Sequence, residues 1–496
     1  MSQNNIETVN ITINGNRCSA PEGSTVLEAA KANGIHIPTL CHMNKDLSPR
    51  VNCRICIVQI DGSQTLKLSC ATKILDGMTI VTNSPEIEQE RRTALQMILA
   101  NHPVDCHHCL RTGNSKCEDL DPKFCEMCFF CDCVRDGFCE LQDLAREYKI
   151  DVLPYEQRGY DHPLDASTGT IIRNPNKCVR CRRCLIVCKD VQTVGCLHKI
   201  TVGSDTLFAP ENNKPLAESS CVQCGRCVDV CPTGAMFMLE HKDELLYHTH
   251  KPGVTTVAQI SRSVLKELAK LFRMDTPEAD IRLVAAGLRK IGVDYVVSDD
   301  FALAAVQDQT ITSLERKLAA ANSAVVVTNS PAALKFLKGN FAELEGSVLV
   351  YESVQQVFGR YVTTAFASAK QLDSRNIRTI SITNNNENAA EAHSDNSVDF
   401  VINARELYRI FLRTGVDLKK RRPAELDSFG PSGNVLRNGL LAPAEWKLSG
   451  ESEAETLTFG GKDFKAAVSF NLGQARRLLD DVKNGSSPYR IIRINA

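Results

Sequence analysis

The cysteines constrain this chain more than any other feature. All 22 lie between Cys18 and Cys231, and none follows in the rest of the 496 residues. Such density in a small secreted protein would mean a disulfide scaffold. This chain is long, however, and its opening MSQNNIETVN lacks the basic-then-apolar pattern of a secretion signal. Most of the cysteines fall in short C-x-x-C runs. Thiols three residues apart turn toward one shared metal centre more readily than toward each other. The expectation is therefore metal or iron–sulfur ligation in a cytoplasmic protein. With 43% hydrophobic and 24% charged residues and a net charge of −1, the chain has the composition of several ordinary folded domains. That charge gives no electrostatic reason to expect nucleic acid or an anionic membrane as partner. No apolar run approaches the roughly 18 residues of a membrane span.

Residues 1–80 read as a small β-rich domain. Alternating apolar residues flank Asn14-Gly15, a type I′ hairpin signal, and Thr25 precedes a short amphipathic helix that Gly34 can close. Cys41, Cys53, Cys56 and Cys70 follow, in an order similar to plant-type [2Fe–2S] ferredoxins but with a longer first gap. Cys18, on a strand outside that loop, reads as a packed free thiol. A helix is expected over PEIEQERRTALQMILA, followed by His102, Cys106 and Cys109. Residues 161–247 carry two C-x2-C-x2-C-x3-C runs, the signature of bacterial two-cluster ferredoxins, in which the fourth cysteine of each run ligates the other cluster. On that crossover Cys178, Cys181, Cys184 and Cys231 hold one [4Fe–4S] centre, and Cys188, Cys221, Cys224 and Cys227 the second. Cys196 stands outside both runs and is read as structural.

From about residue 250 apolar strands at 293–298, 323–328, 347–351, 378–383 and 399–403 alternate with helical segments, a doubly wound or similar α/β pattern. No G-x-G-x-x-G or G-x-x-x-x-G-K-[ST] is present, so no nucleotide site is announced. The Gly-, Ser- and Asn-rich stretch after Gly430 is expected to be loop. His248 and His250 lack ligand partners at recognisable spacing and are read as structural.

Taken in order, these segments resemble the large iron–sulfur subunit of electron-bifurcating [FeFe]-hydrogenases and, more distantly, the large iron–sulfur subunit of respiratory complex I. The resemblance implies a multidomain α+β protein. Its parts are a β-grasp [2Fe–2S] ferredoxin domain (1–80), a His-Cys [4Fe–4S] domain (81–160), a two-cluster ferredoxin domain (161–247) and a hydrogenase-like α/β domain (250–496). It implies a [4Fe–4S] cluster held by His102, Cys106, Cys109 and Cys139, the last in the family's closing Cys-Glu-Leu-Gln. Between them lies an insertion with Cys117, Cys125, Cys128, Cys131 and Cys133. These nine candidate ligands suffice for two sites. In one partition Cys139 closes the histidine site; in the other Cys117 closes it and Cys139 joins the insertion's cysteines. The added metal is either a further iron–sulfur cluster or structural zinc, since thiolates suit both.

TTVAQISRSVLKELAKLF, VFGRYVTTAF, NARELYRIFLRTGVD and NLGQARRLLDDVKNGSSPYRIIRIN resemble segments of the hydrogenase catalytic domain, yet its catalytic cysteines are missing. Thr328-Asn329-Ser330-Pro331 stands where the family has Thr-Ser-Cys-Cys-Pro, and Ile382-Thr383-Asn384 where it has Met-Pro-Cys. Glu352-Ser353-Val354 stands for Lys-Ser-Pro, and the closing Cys-x3-Cys would begin at Ala496. Without cysteine after residue 231 this domain cannot ligate an H-cluster. The expected role is electron transfer within a flavin-linked hydrogenase or formate dehydrogenase. Implied partners are a flavoprotein that oxidises NAD(P)H, a small [2Fe–2S] subunit, ferredoxin, and a separate catalytic subunit such as a [NiFe]-hydrogenase module. The alternative is the iron–sulfur subunit of a complex I-like NADH dehydrogenase.

Overall fold

The computed structural model describes residues 7–44, 47, 52–103, 133–135, 137–150, 153–156, 162–203, 205–320, 323–429, 452–459 and 462–495. At the N-terminus, strands Thr8–Ile13 and Asn16–Pro21 pair antiparallel around Asn14-Gly15. Both turn residues have positive φ (51° and 81°), as a type I′ turn requires. The sheet order is Asn16–Pro21, Thr8–Ile13, Thr79–Val81, Ile57–Ile60, Lys67–Leu68, with a parallel central pair and antiparallel flanks. Helix Val26–Ala32 starts at a capping box between Thr25 and Glu28 and buries Val26, Leu27, Ala29 and Ala30 on this sheet. A five-stranded sheet gripping one helix in this way is a β-grasp arrangement. Cys18 sits on the second strand, half-buried against the same core.

Helix Pro85–Ala100 begins where Ser84 accepts the N–H of Ile87 and Pro85 occupies the first turn. Its Leu95 and Leu99 share a core with Leu40 and Ile55 of the first domain and with Leu141 and Leu144 of helix Glu140–Glu147. One apolar cluster therefore fuses the first two cysteine-bearing regions. The next region contains two small antiparallel pairs, Ile171–Arg173 with Met236–Met238 and His198–Val202 with Asp205–Ala209. Two single-turn helices, Arg183–Ile186 and Arg226–Asp229, complete it.

The C-terminal half forms two separate sheets rather than one doubly wound sheet. One is all parallel, in the order Tyr295–Ser298, Thr255–Ile260, Ile377–Ile382, Phe400–Ile402. The other runs Val348–Val350, Val325–Thr328, Ile491–Ile494, Lys462–Ser469, Glu453–Phe459, parallel except for the final hairpin. That hairpin corrects the expectation of loop after Gly430. Its outer strand, EAETLTF, looks polar because it lies at a sheet edge, whereas Ala466, Ala467 and Val468 of the inner strand are buried in succession. Among the described residues no helix is long and apolar enough to cross a membrane.

Candidate iron–sulfur centres and a cavity without cysteine

Cys41 follows the first helix, Cys53 and Cys56 sit in the loop entering strand Ile57–Ile60, and Cys70 lies just beyond Lys67–Leu68. The four thiols gather as two hydrogen-bonded pairs. Cys41 hydrogen-bonds Cys53, Cys56 hydrogen-bonds Cys70, and Cys70 lies within electrostatic range of the other three. Each pair shares its charge unequally. The Cys53 thiol brings Cys41 down to about 6 and the Cys70 thiol brings Cys56 down to about 7. Their partners are pushed up, first by the same hydrogen bond and then by burial. Two easily ionised thiols beside two reluctant ones form a donor set that a bound cation would fully deprotonate.

In the two ferredoxin runs the backbone does the aiming. Arg180 and Arg182 of the first run have φ of 56° and 67°, and Gln223 and Gly225, at the matching positions of the second, have 60° and 73°. This alternation curls each run around its sulfurs. It lets Cys178 and Cys181 accept the N–H of Arg180 and Arg183, as Cys221 and Cys224 accept those of Gln223 and Arg226. Two cavities result. One is walled by Cys178, Cys181, Cys184 and Cys231, the other by Cys188, Cys221, Cys224 and Cys227. Burial pushes Cys178 up to about 11 and Cys184 and Cys227 well above the usual thiol range, so these sulfurs ionise only against a compensating cation. Among the described residues no three Cys, His or carboxylate side chains converge on one point, as a single ion would need. Four thiols spread round an apolar cavity fit a cluster instead, where each iron takes one sulfur.

Of the third expected centre, His102 and Cys139 are described. His102 is buried just after helix Pro85–Ala100, and Cys139 is buried at the start of helix Glu140–Glu147. Cys106 and Cys109 lie outside the described residues, as do Cys117, Cys125, Cys128 and Cys131 of the insertion. Cys133 is buried close enough to Cys139 for its charge to add to the burial that pushes Cys139 up to about 12.

Two features escaped the sequence reading. Cys196, taken as merely structural, lines the second ferredoxin cavity as a fifth cysteine. Arg183 ties three regions together: it forks onto Glu140 at 2.7 and 2.8 Å and donates to the His42 carbonyl at 3.1 Å, from a position adjacent to Cys184. No spacing rule singles out one arginine within Cys181-Arg182-Arg183-Cys184.

The C-terminal half holds a large polar cavity at the carboxyl ends of its parallel strands. Ser261, Asp299, Asn329, Tyr351, Thr383 and Asn495 each follow one strand into it. The segments that stand for the family's cysteine motifs are thus brought together around one space, with asparagine, serine and threonine in place of thiols. Glu387, buried and pushed up by desolvation, accepts the Ser330 hydroxyl and lies 4.0 Å from Arg226. Glu391, pushed up to about 7 by burial, accepts the Ser353 hydroxyl at 2.6 Å. The cavity abuts the second cysteine cavity, since Arg226 lines both; Asn386 beside it donates to the Gly225 carbonyl and the Asp229 carboxylate.

Residues 254–496 match the family described as iron only hydrogenase large subunit, C-terminal domain. Residues 7–85 match a 2Fe-2S iron-sulfur cluster binding domain, and 216–237 a 4Fe-4S binding domain. NADP-reducing hydrogenase subunit HndD of Solidesulfovibrio fructosivorans is 29% identical over 97% of this chain and 86% of its own length. An NADH-quinone oxidoreductase subunit of Rhizobium meliloti is 33% identical, over 59% of this chain and 32% of its own length. Iron hydrogenase 1 of Clostridium pasteurianum is 24% identical over 89% and 76%.

Proposed function

We propose, from the premise that the C-terminal half of this chain belongs to the iron only hydrogenase large-subunit family and that the chain is a homologue of hydrogenase and complex I iron–sulfur subunits, that it conducts electrons inside a cytoplasmic, flavin-linked hydrogenase or formate dehydrogenase complex. Cys41, Cys53, Cys56 and Cys70 hold a [2Fe–2S] cluster. The crossed sets Cys178, Cys181, Cys184, Cys231 and Cys188, Cys221, Cys224, Cys227 each hold a [4Fe–4S] cluster, and His102, Cys106, Cys109 and Cys139 a third. When bound, such clusters supply one-electron carriers whose potentials follow ligand type, hydrogen bonding and exposure.

The observation that carries this reading is the continuity of the cysteine sites. Asn52, next to Cys53, donates to the carbonyl of Arg180 in the first ferredoxin run. Arg183 acts electrostatically on both Cys41 and Cys181. Cys184 and Cys188 lie within electrostatic range of each other, which joins the two ferredoxin cavities. At the far end Arg226 and Asn386 link the last of them to the cysteine-free cavity. These contacts support a series that runs from the first cysteine site through the two ferredoxin cavities.

The terminal chemistry belongs to another subunit, because the C-terminal cavity has no thiolate to hold an H-cluster. A flavoprotein that oxidises NAD(P)H, a small [2Fe–2S] subunit and ferredoxin supply or receive electrons at one end. A [NiFe]-hydrogenase module or formate dehydrogenase serves the other. The proximity of Cys133 to Cys139 supports a further metal, cluster or zinc, lying against the histidine site. A complex I-like assembly is less well supported, since the similarity to the quinone-linked relative covers 59% of the chain and that to the hydrogenase subunit 97%. Anaerobic affinity purification from the native host tests the reading. A flavoprotein and a nickel- or molybdenum-containing subunit are expected to co-purify; recovery with membrane-arm subunits would overturn it.

A further inference from the structure

Cys196 is 4% exposed and shares the wall of the second ferredoxin cavity with Cys188, Cys221, Cys224 and Cys227. Its thiol lies within hydrogen-bonding reach of both Cys188 and Cys221. The local backbone holds it there. The N–H groups of Val194 and Gly195 both donate to the Cys188 carbonyl at 3.0 Å, closing the loop 188–195 so that Cys196 returns to the sulfur where the loop began. The Cys188 sulfur in turn accepts the N–H groups of Leu197, Cys196 and Gly195. On the other side the Ser219 hydroxyl spans the same gap, 3.7 Å from the Cys196 sulfur while accepting the N–H of Cys221 at 3.2 Å. A site that takes four thiolates is thus built with five. Among the described residues, the first ferredoxin cavity is lined by four cysteines, Cys178, Cys181, Cys184 and Cys231.

We propose that Cys196 is a reserve ligand of the second [4Fe–4S] cluster, able to take the place of Cys188 or Cys221. The exchange breaks one iron–sulfur bond to Cys188 or Cys221 and forms one to Cys196. The Cys196 proton leaves as the displaced thiolate gains one, so neither iron nor sulfur changes oxidation state. Burial suits the residue to this task, because water and exogenous thiols reach it poorly and the displaced ligand stays within the same cavity. The loop 188–196 that carries it is fixed at both ends, so the thiol needs only a side-chain rotation to exchange partners. The proposal rests on the reading that this cavity holds a cluster.

Its test is iron and sulfide content together with low-temperature EPR of the full chain, purified without oxygen as the wild type and as Cys188→Ala, Cys221→Ala, Cys196→Ala and the two double variants with Cys196→Ala. Cys184→Ala, in the cavity lined by four cysteines, is the control. Cys188→Ala and Cys221→Ala are expected to keep wild-type iron and a cluster signal with altered g values, whereas each double variant loses about four irons and that signal. Cys196→Ala alone keeps both. Single variants that lose as much iron as the doubles would overturn the proposal. If one single variant fails to fold, the other carries the comparison. Absence of this cluster from the wild type would instead overturn the underlying assignment, which keeps the two failures distinct.

Discussion

Removing the Arg183 head group should loosen the junction between three cysteine-bearing regions. The Arg183 side chain is 9% exposed, and its guanidinium forks onto the Glu140 carboxylate at 2.7 and 2.8 Å, with a further bond to the His42 carbonyl at 3.1 Å. The Glu140 side chain is 46% exposed, so water screens that pair and its coupling is about 1 kcal/mol rather than the several of a buried pair. The His42 carbonyl would lose its charged donor, costing about another 1–3 kcal/mol. Arg183→Met, which keeps the alkyl stem, should therefore cost about 2–4 kcal/mol. Glu140→Gln should cost about 1, and the double variant should reveal a coupling of about 1 kcal/mol in a mutant cycle. Calorimetry of the anaerobic, iron-loaded chain would show the first transition moving down. A change under about 0.5 kcal/mol in Arg183→Met, with no coupling to Glu140, would refute the idea that this arginine holds the series of sites together.

Three further outcomes are expected. Burial lifts Glu391 from 4.5 to about 7, a difference worth about 3 kcal/mol. The folded chain holds this proton more tightly than the unfolded one, so the contribution of Glu391 to stability is fully present below about pH 4.5 and is lost as pH rises through about 7; Glu391→Gln should flatten that part of the slope in melting curves at pH 5–8. Gly225→Ala should cost more than Gly485→Ala although both have positive φ (73° and 71°). A Cβ at 225 would sit 2.4 Å from Asn386 Cβ, whereas nothing lies within 4 Å at 485; about 1 kcal/mol is expected at 485 and at least twice that at 225, by thermal denaturation. Cys18→Ser should leave iron and sulfide content unchanged, because Cys18 lies on the second strand and its thiol hydrogen-bonds the Asn16 carbonyl at 3.5 Å, not one of the four paired cysteines; loss of about two irons would place it among the [2Fe–2S] ligands.

Local chemistry explains which parts of this molecule could be read from its residues. Asn14-Gly15, the Thr25–Glu28 capping box and Ser84-Pro85 specify their elements through contacts within a few residues, and each element forms where expected. The grouping of cysteines around two ferredoxin cavities likewise follows from run spacing. The left-handed backbone at Arg180, Arg182 and Gln223 was not legible, because non-glycine residues there advertise no positive φ. The hairpin Glu453–Phe459 with Lys462–Ser469 was missed because its inner strand is defined by pairing with Ile491–Ile494, a partner known only from the fold. Cys196 belongs to the same class: it lies eight residues beyond Cys188, and only the loop closure through Val194 and Gly195 brings it back to the cavity. Asn329, Thr383 and Asn495 reveal themselves as walls of one polar cavity only when six strands align their carboxyl ends.

The proposed role rests on iron–sulfur clusters held by the cysteines of the N-terminal half. Its most direct measurement is the iron, acid-labile sulfide and zinc content of the chain purified without oxygen. The account predicts about 14 irons with matching sulfide for clusters of two, four, four and four irons, accompanied either by one zinc or by about two to four further irons from the insertion. Zinc filling the cysteine sites, with little sulfide and far fewer than about 10 irons per chain, would contradict it.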